Sequence, residues 1–165
     1  MTDPDYTQGL LAAYEDEVIG EAYFGGLAAH FPVEAQRDKL ALLAEVERYT
    51  AGVLRLLVER HGLASRLVPV LHELGRTEAT AWHGGGWRGL MQEMAGNYQV
   101  YVEEFRALER VAPDDDRPAL ARLTQHELLI IGFAEKELAG GADSLDAIRR
   151  FLECDPPAGG TGGPD

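Results

Sequence analysis

The sequence predicts an all-α protein, an antiparallel four-helix bundle, and three observations support this class. Apolar residues recur in steps of three and four, the spacing that keeps side chains on one face of a helix. No stretch alternates apolar and polar residues in the manner of a strand. The helical segments are separated by glycine and proline, the residues that most often interrupt helices.

The breaks predict two helical hairpins joined by a long crossover, with a short helix at the C-terminal end. Short turns inside each hairpin imply that its two helices pack antiparallel. The crossover, from Leu63 to Gly86, is predicted to contain one short helix interrupted by Pro69. The predicted helices run from Thr7 to His30, Glu34 to His61, Ser65 to Leu74, Trp87 to Val111, Pro118 to Gly140 and Ser144 to Leu152.

Local signals place the ends of these helices. Phe31-Pro32 ends the first helix, because the residue before a proline is forced out of the α region. Gly62 suits the position that follows the second helix. Pro118 suits the first turn of the fourth long helix. Residues 155–165 are rich in glycine and proline and predict a disordered tail after a single domain of residues 1–154.

Composition and charge restrict the classes of partner. A chain of 165 residues that is 45% hydrophobic is long enough to bury the core of one domain. Its formal net charge of −13 argues against binding to nucleic acid or to an anionic membrane surface, which both require clustered Lys and Arg. No membrane span or leader peptide is evident, and the single cysteine cannot form an internal disulfide. The default expectation is a cytoplasmic protein.

Three acidic residues stand where amphipathic helices should be apolar. Glu21, Glu47 and Glu127 each fall within a run of apolar residues spaced by three and four. An unpaired carboxylate in a bundle core is costly unless it is protonated, hydrogen-bonded or bound to a cation. Three such residues on three helices predict a functional site. The alternatives are that Glu47 pairs with a surface arginine and that His126, beside Glu127, only forms a hydrogen bond across the bundle.

These segments resemble the ferritin-like superfamily of di-iron carboxylate and rubrerythrin-like proteins. Members place a Glu on each of two helices and a Glu-x-x-His on each of the other two. Glu21-Ala22-Tyr23-Phe24 matches the first Glu, and Glu47-Arg48-Tyr49-Thr50 matches the first Glu-x-x-His with Thr50 in the histidine position. Gln125-His126-Glu127 matches the second, with Ile130 where histidine is expected. The resemblance covers about residues 7–139 and implies the bundle fold with a non-haem metal site.

The motif departs from the family pattern, so the ligands of a two-metal centre cannot be assembled. One metal remains chemically reasonable, because carboxylates and an imidazole suit Fe(II), Mn(II) or Zn(II). Iron is the expected metal, with manganese, zinc or no metal as alternatives. The expected ligands are Glu21, Glu47 and His126, joined by Glu127 or Glu104.

Two functions follow from these expectations. The first is an iron-dependent oxidoreductase or oxygenase acting on a small apolar substrate, with Tyr98 and Tyr101 as candidate catalytic residues and Trp87 shaping the pocket. The second is a metal-free bundle that binds a small ligand or acts as a homodimeric interaction module. A homodimer is expected because the second helix carries more apolar width than one core needs. The extra face consists of Leu42, Val46, Tyr49, Val53 and Leu56.

Overall fold

A computed structural model of the chain describes residues 4–154, and all regular structure in that range is helical. The all-α class is therefore confirmed, whereas the predicted tail, residues 155–165, lies outside the described range. None of the described helices is long and apolar enough to cross a bilayer. The helices are α1 (Pro4–Leu27), α2 (Glu34–Arg60), α3 (Val68–Ala81), α4 (Gly86–Asn97), α5 (Gln99–Val111), α6 (Arg117–Leu138) and α7 (Asp146–Glu153), with a short 3₁₀ helix at Ala28–His30.

Helix packing forms two groups that meet through α2, α6 and α5. In the first group α1 lies against both α2 and α3, and in the second α6 lies against both α4 and α5. Contacts of α2 with α6 and of α1 with α5 join the groups, and α7 packs on α6 and α2. Because α1 has neighbours on two sides, it buries more than one face.

The apolar core is divided into two clusters along the length of these helices. On α1, Tyr14 and Val18 belong to one cluster and Phe24 to the other. On α6, Leu123 and Ile130 are divided in the same way. The corresponding division on α2 falls between Val46 and Ala51. The buried polar residues of α2 and α6 lie at these divisions.

The third long helix that the sequence predicts is interrupted at Tyr98, which separates α4 from α5. Gly96 and Asn97, both weak helix formers, precede the interruption. The predicted crossover helix is also longer and later than expected. Pro69 does not interrupt it, because this proline lies in the first turn of α3, where its missing N–H is not needed.

Close packing holds α3 against α1. A Cβ atom at Gly75 would collide with the Ile19 carbonyl oxygen and the Tyr23 backbone nitrogen. Only glycine therefore permits this approach of the two backbones. The approach matters for the site, because Ile19 and Tyr23 line the cavity described below.

A hydrogen-bonded group surrounds the buried Asp116, and we call Tyr6, Arg60, His61 and Asp116 the end cluster. The Tyr6 hydroxyl donates to Asp116 Oδ2 at 2.7 Å, and His61 Nε2 lies 2.6 Å from the same oxygen. Arg60 Nη1 lies 3.0 Å from the other carboxylate oxygen. These contacts tie α1 and the end of α2 to the residue that precedes α6.

Helix α7 covers part of the α2 face that suggested a homodimer. The Phe151 ring packs edge-on against Tyr49, with centroids 5.2 Å apart, and the Arg122 guanidinium lies 4.2 Å from the Phe151 centroid. Val46 and Val53 are buried, whereas Leu56 stays 43% exposed. Much of the extra apolar width is thus used within the chain, and the homodimer stays a prediction.

Candidate metal centre

Three helices bring buried polar residues together between the two apolar clusters. Glu17 comes from α1, Glu47 from α2 and His126 from α6, and all three are buried. One ligand atom from each lies within 4.8 Å of the ligand atoms of the other two. Within residues 4–154 this is the group of His, Cys, Asp and Glu side chains arranged to hold a metal ion. We call Glu17, Glu47, His126 and the adjacent Glu127 the carboxylate cluster.

The imidazole of His126 lies among the three carboxylates. Its Nε2 atom is 3.3 Å from Glu17 Oε2, 3.5 Å from Glu47 Oε1 and 3.6 Å from Glu127 Oε1. These separations fit the oxygen and nitrogen ligands of a single ion, which lie roughly 2.0–2.2 Å from zinc and roughly 3 Å or more from one another.

A backbone hydrogen bond fixes the orientation of His126. Nδ1 lies 2.5 Å from the Leu123 carbonyl oxygen, which can only accept, so Nδ1 carries the proton. In the neutral ring Nε2 then presents a lone pair to the carboxylates. Nε2 is buried and has no hydrogen-bond partner. Metal-ligating histidines are usually oriented in this way, with the second ring nitrogen donating to a carbonyl or carboxylate.

Thr50 occupies the position where the ferritin-like pattern has histidine, and its hydroxyl contacts Glu17. The hydroxyl forms a hydrogen bond with Glu17 Oε2 and also lies 2.9 Å from the Val46 carbonyl oxygen. When Glu17 is ionised, Thr50 can donate to the carboxylate. When Glu17 is protonated, the Thr50 hydroxyl can accept a hydrogen bond from it and donate to the backbone instead. Thr50 therefore satisfies Glu17 in either protonation state.

Burial raises the pKa of all three carboxyl groups in the cluster. For Glu17 burial is the largest cause, the nearby His126 opposes it, and Glu47 and Glu127 add to the rise. Burial raises the pKa of Glu47 to about 8 and that of Glu127 to about 7. Without a cation the cluster therefore retains protons near neutral pH, whereas a divalent ion would stabilise the ionised carboxylates.

Gly20 makes room for the Glu47 side chain. A Cβ atom at position 20 would collide with Glu47 Oε2, although the adjacent backbone of α1 is regular helix. At Gly25 on the same helix, an added Cβ atom would have nothing within 4 Å. Of these two glycines, only Gly20 is required for the Glu47 carboxylate to point between α1 and α2.

A cavity of about 350 Å³ opens from the cluster. Glu17, Glu47 and Glu127 form part of its wall, so an ion bound there would have one side free for another ligand. The remaining wall combines acidic and aromatic side chains from α1, α3, α4 and α5. The cavity is more acidic than the apolar pocket that the sequence suggested.

No family model, curated protein or solved structure matches this chain. The interpretation of the site therefore rests on its own residues: the convergence of three buried carboxylates on an imidazole nitrogen that lacks a partner.

Of the predicted metal ligands, the structure brings Glu47, His126 and Glu127 together. Glu21 is not among them, and its carboxylate instead contacts His72, with Oε2 3.4 Å from Nε2. Glu104 is exposed on α5 and is not part of the carboxylate cluster. Glu17, one helical turn before Glu21, takes the place that Glu21 was expected to fill.

Of the three aromatic residues predicted for the site, two line the cavity and one does not. Tyr98 and Tyr101 both line the cavity, with their rings edge-to-face and centroids 5.4 Å apart. Burial raises the pKa of each phenol, so both remain neutral donors at physiological pH. Trp87 lies outside the cavity, where its indole donates to Glu137 and packs against Phe31.

A sequence signal for Glu17 existed. Glu17 lies in a run on α1 with the three-and-four spacing, and every other member of this run that the structure buries is apolar. The buried members are Tyr6, Leu10, Ala13, Glu17, Phe24 and Leu27.

Proposed function

We propose that this chain is a non-haem metal protein of the ferritin-like type, with one divalent ion held by Glu17, Glu47 and His126. The observation that carries the proposal is the buried, unpartnered Nε2 of His126 facing carboxylate oxygens from three residues. A divalent cation would satisfy that nitrogen and offset two of the three negative charges. Glu127 would supply a further oxygen.

Iron is the metal we propose, with manganese and zinc as alternatives of similar ligand preference. The contacts between α1 and α2 and between α6 and the α4–α5 pair are compatible with two helical hairpins, as the ferritin-like arrangement requires. The proposed activity is oxidation of a small molecule by O2 or peroxide, for which the ion would supply the redox chemistry. The residues would hold the ion, and the cavity would leave room for a substrate next to it.

The decisive experiment measures metal content in protein purified without a metal-affinity tag. Samples are reconstituted anaerobically with Fe(II), Mn(II) or Zn(II), desalted and analysed by mass spectrometry for metals. We expect close to one equivalent in the wild type and a steep fall in Glu17→Gln and Glu47→Gln, which keep the shape but lose the charge. Glu21→Gln is the matched control, since it removes the same charge one turn away on α1, and it should retain the metal.

Wild-type protein that takes up none of the three metals, combined with a Glu47→Gln variant that melts higher, would refute the metal centre. Equal losses in Glu21→Gln and Glu17→Gln would refute this choice of ligands. For the iron form, oxygen consumption that depends on Fe(II) and disappears in Glu47→Gln would support the oxidoreductase class. An iron-loaded protein that consumes no oxygen with any reductant would count against that class.

A second candidate, a metal-free ligand-binding bundle, is favoured by the hydrogen bonding of Thr50. Because this hydroxyl can accept a hydrogen bond from protonated Glu17, Glu17 can be satisfied without a cation. Under this alternative Glu47→Gln removes a desolvation cost, and stability should rise by roughly 1 kcal/mol or more. The melting temperature in metal-replete buffer therefore separates the two candidates, because they predict opposite signs for this substitution.

A further inference from the structure

The outer part of the cavity is lined by acidic side chains, and no basic side chain in the described part of its wall balances them. Asp16, Glu78 and Glu93 line it together with the three carboxylates of the cluster, and no Lys or Arg is among the lining residues that the structure describes. Glu93 is held in place by the Trp82 indole, which donates to it at 3.0 Å. Six acidic side chains around about 350 Å³, with no basic side chain in the described part of the wall, disfavour an anionic ligand.

Aromatic residues form much of the remaining wall. Tyr23, Phe24, Tyr98, Tyr101 and Phe105 line the same space. The faces of aromatic rings attract organic cations, and this attraction strengthens when the cation is removed from water. A bare divalent ion needs oxygen ligands and gains little from such rings. The combination of carboxylates and rings therefore suits an ammonium group on a carbon body.

Glu127, one of the lining residues, has a buried oxygen atom without a hydrogen-bond donor. Glu127 Oε2 has no partner, its side chain is only 8% exposed, and Glu127 lines the cavity. Its other oxygen, Oε1, faces His126. A buried acceptor without a donor is costly, and a ligand N–H would satisfy it. This is a second observation, independent of the acidic rim, that points to a cationic donor.

We propose that this cavity binds a small organic ammonium compound, whose N–H groups donate to Glu127 and whose carbon body packs against Tyr98 and Tyr101. Asp16, Glu78 and Glu93 would attract the cation to the entrance. The proposal goes beyond the metal centre, because it needs only the cavity, and it rests on the proposed function solely in making the amine the substrate class of that centre. The volume is near the lower end of ligand pockets, which suits a compound of about ten non-hydrogen atoms.

The test compares three compounds of nearly equal size and different charge. Binding of 2-phenylethylammonium, 2-phenylethanol and 3-phenylpropionate is measured by isothermal titration calorimetry near pH 7.5, once with chelator-treated protein and once with Zn(II)-loaded protein. We expect the ammonium compound to bind at least tenfold more tightly than the alcohol, and the carboxylate not to bind. Equal affinity for the ammonium compound and the alcohol would overturn the proposal, as would no binding of any probe in either protein.

Substitutions at the exposed entrance test the location without endangering the fold. Asp16 and Glu78 are exposed, so Asp16→Asn and Glu78→Gln should fold normally, and together they should weaken binding of the ammonium compound about tenfold or more. Glu103→Gln on α5 is the matched control, because Glu103 is exposed and does not line the cavity. It should change affinity less than twofold. An equal effect of the control and of the entrance pair would overturn the proposed location.

The outcomes separate this proposal from the metal centre. Ammonium binding to chelator-treated protein that takes up no metal would support the amine site and refute only the metal. Full metal uptake without ammonium binding in either protein would refute the amine site and leave the metal centre standing.

Discussion

Gly20 controls whether the Glu47 carboxylate can point between α1 and α2. In Gly20→Ala the new Cβ would collide with Glu47 Oε2, so the carboxylate must move. We expect this variant to bind metal at least tenfold more weakly in a competition assay with a fluorescent chelator. Displacing one carboxylate weakens metal binding, because all ligands of the site must reach the same ion.

Gly25→Ala is the control for this substitution. It lies on the same helix, and nothing stands within 4 Å of its added Cβ. It should leave metal affinity unchanged and raise stability by roughly 0.5–1 kcal/mol, because alanine costs less backbone entropy in a helix than glycine does. If both variants bind metal as the wild type does, Glu47 is not a ligand in the position described.

The carboxylate cluster predicts a pH dependence in metal-free protein. The native pKa of Glu47 is raised from 4.5 to about 8, and that of Glu127 from 4.5 to about 7. At pH values between the unfolded pKa of 4.5 and the raised native pKa, the native state binds more protons than the unfolded chain. The free energy of unfolding therefore falls as pH rises. We expect the melting temperature of chelator-treated protein to fall between about pH 5 and pH 8, as followed by circular dichroism.

The net charge of the chain also opposes folding as pH rises, so a variant must isolate the contribution of the cluster. The double substitution Glu47→Gln with Glu127→Gln removes both groups, and its melting temperature should fall less over the same pH range. Saturating Zn(II) should likewise reduce the fall in the wild type, because the ion stabilises the ionised carboxylates. A double variant whose pH profile runs parallel to that of the wild type would contradict the raised pKa values.

The choice between Glu17 and Glu21 shows the limit of predicting site residues from helical spacing. Both lie on apolar runs of α1, since this helix packs against α2 on one side and α3 on another. A helix buried on two faces has no single apolar stripe that selects one acid over the other. By contrast, α6 was predictable, because the buried His126 and Glu127 sit in a regular apolar run.

At the scale of elements, the long helices followed from local signals, and the departures came from tertiary packing. The sequence predicted the ends near Pro32, Gly62 and Pro118 to within a few residues, because these residues act on their own backbone. The extent of α3 was underestimated, since Pro69 was expected to interrupt a helix whose first turn it occupies. The interruption at Tyr98 had only a weak local signal, the poor helix formers Gly96 and Asn97.

The contact between α3 and α1 gives a prediction at this scale. In Gly75→Ala the added Cβ meets backbone atoms of Ile19 and Tyr23, which cannot move as a side chain can. We expect a loss of about 1–3 kcal/mol in the free energy of unfolding, as found for overpacked interiors, measured by urea denaturation. Gly52→Ala on α2, which has nothing within 4 Å of its Cβ, should be neutral or stabilising. Equal stabilities for the two variants would show that α3 is not held in this close contact.

At the scale of the whole molecule, the homodimer stays a prediction, but the apolar residues that now support it lie at α3 and not on the covered face of α2. Helix α7 covers part of the α2 face, while Leu67 is 73% exposed beside α3 and Val70 is 49% exposed on it. Exposed apolar residues of this kind favour self-association. Light scattering at micromolar concentration should report a dimer, and a mass equal to one chain at all concentrations would contradict this expectation.

The carboxylate cluster links α1, α2 and α6 between the two apolar clusters, so a bound ion should stabilise the whole molecule. An ion at a concentration 100 times its dissociation constant adds about 2.7 kcal/mol to the free energy of unfolding. For a chain of this size that corresponds to a rise of roughly 5–10 °C in melting temperature. Differential scanning calorimetry of chelator-treated and Zn(II)-loaded protein measures this rise directly.

Hydrogen exchange can then locate the effect within the molecule. Adding Zn(II) should slow exchange most strongly at the backbone amides around Glu17, Glu47 and His126, because local opening there must first release the ion. The end cluster provides the internal control, since Asp116 is already satisfied by Tyr6, His61 and Arg60 and offers the ion no free carboxylate oxygen. Its amides should gain only the protection that global stabilisation gives every slow-exchanging site. Uniform protection along α1, α2 and α6, or preferential protection at the end cluster, would place the ion somewhere other than between the two halves of the core.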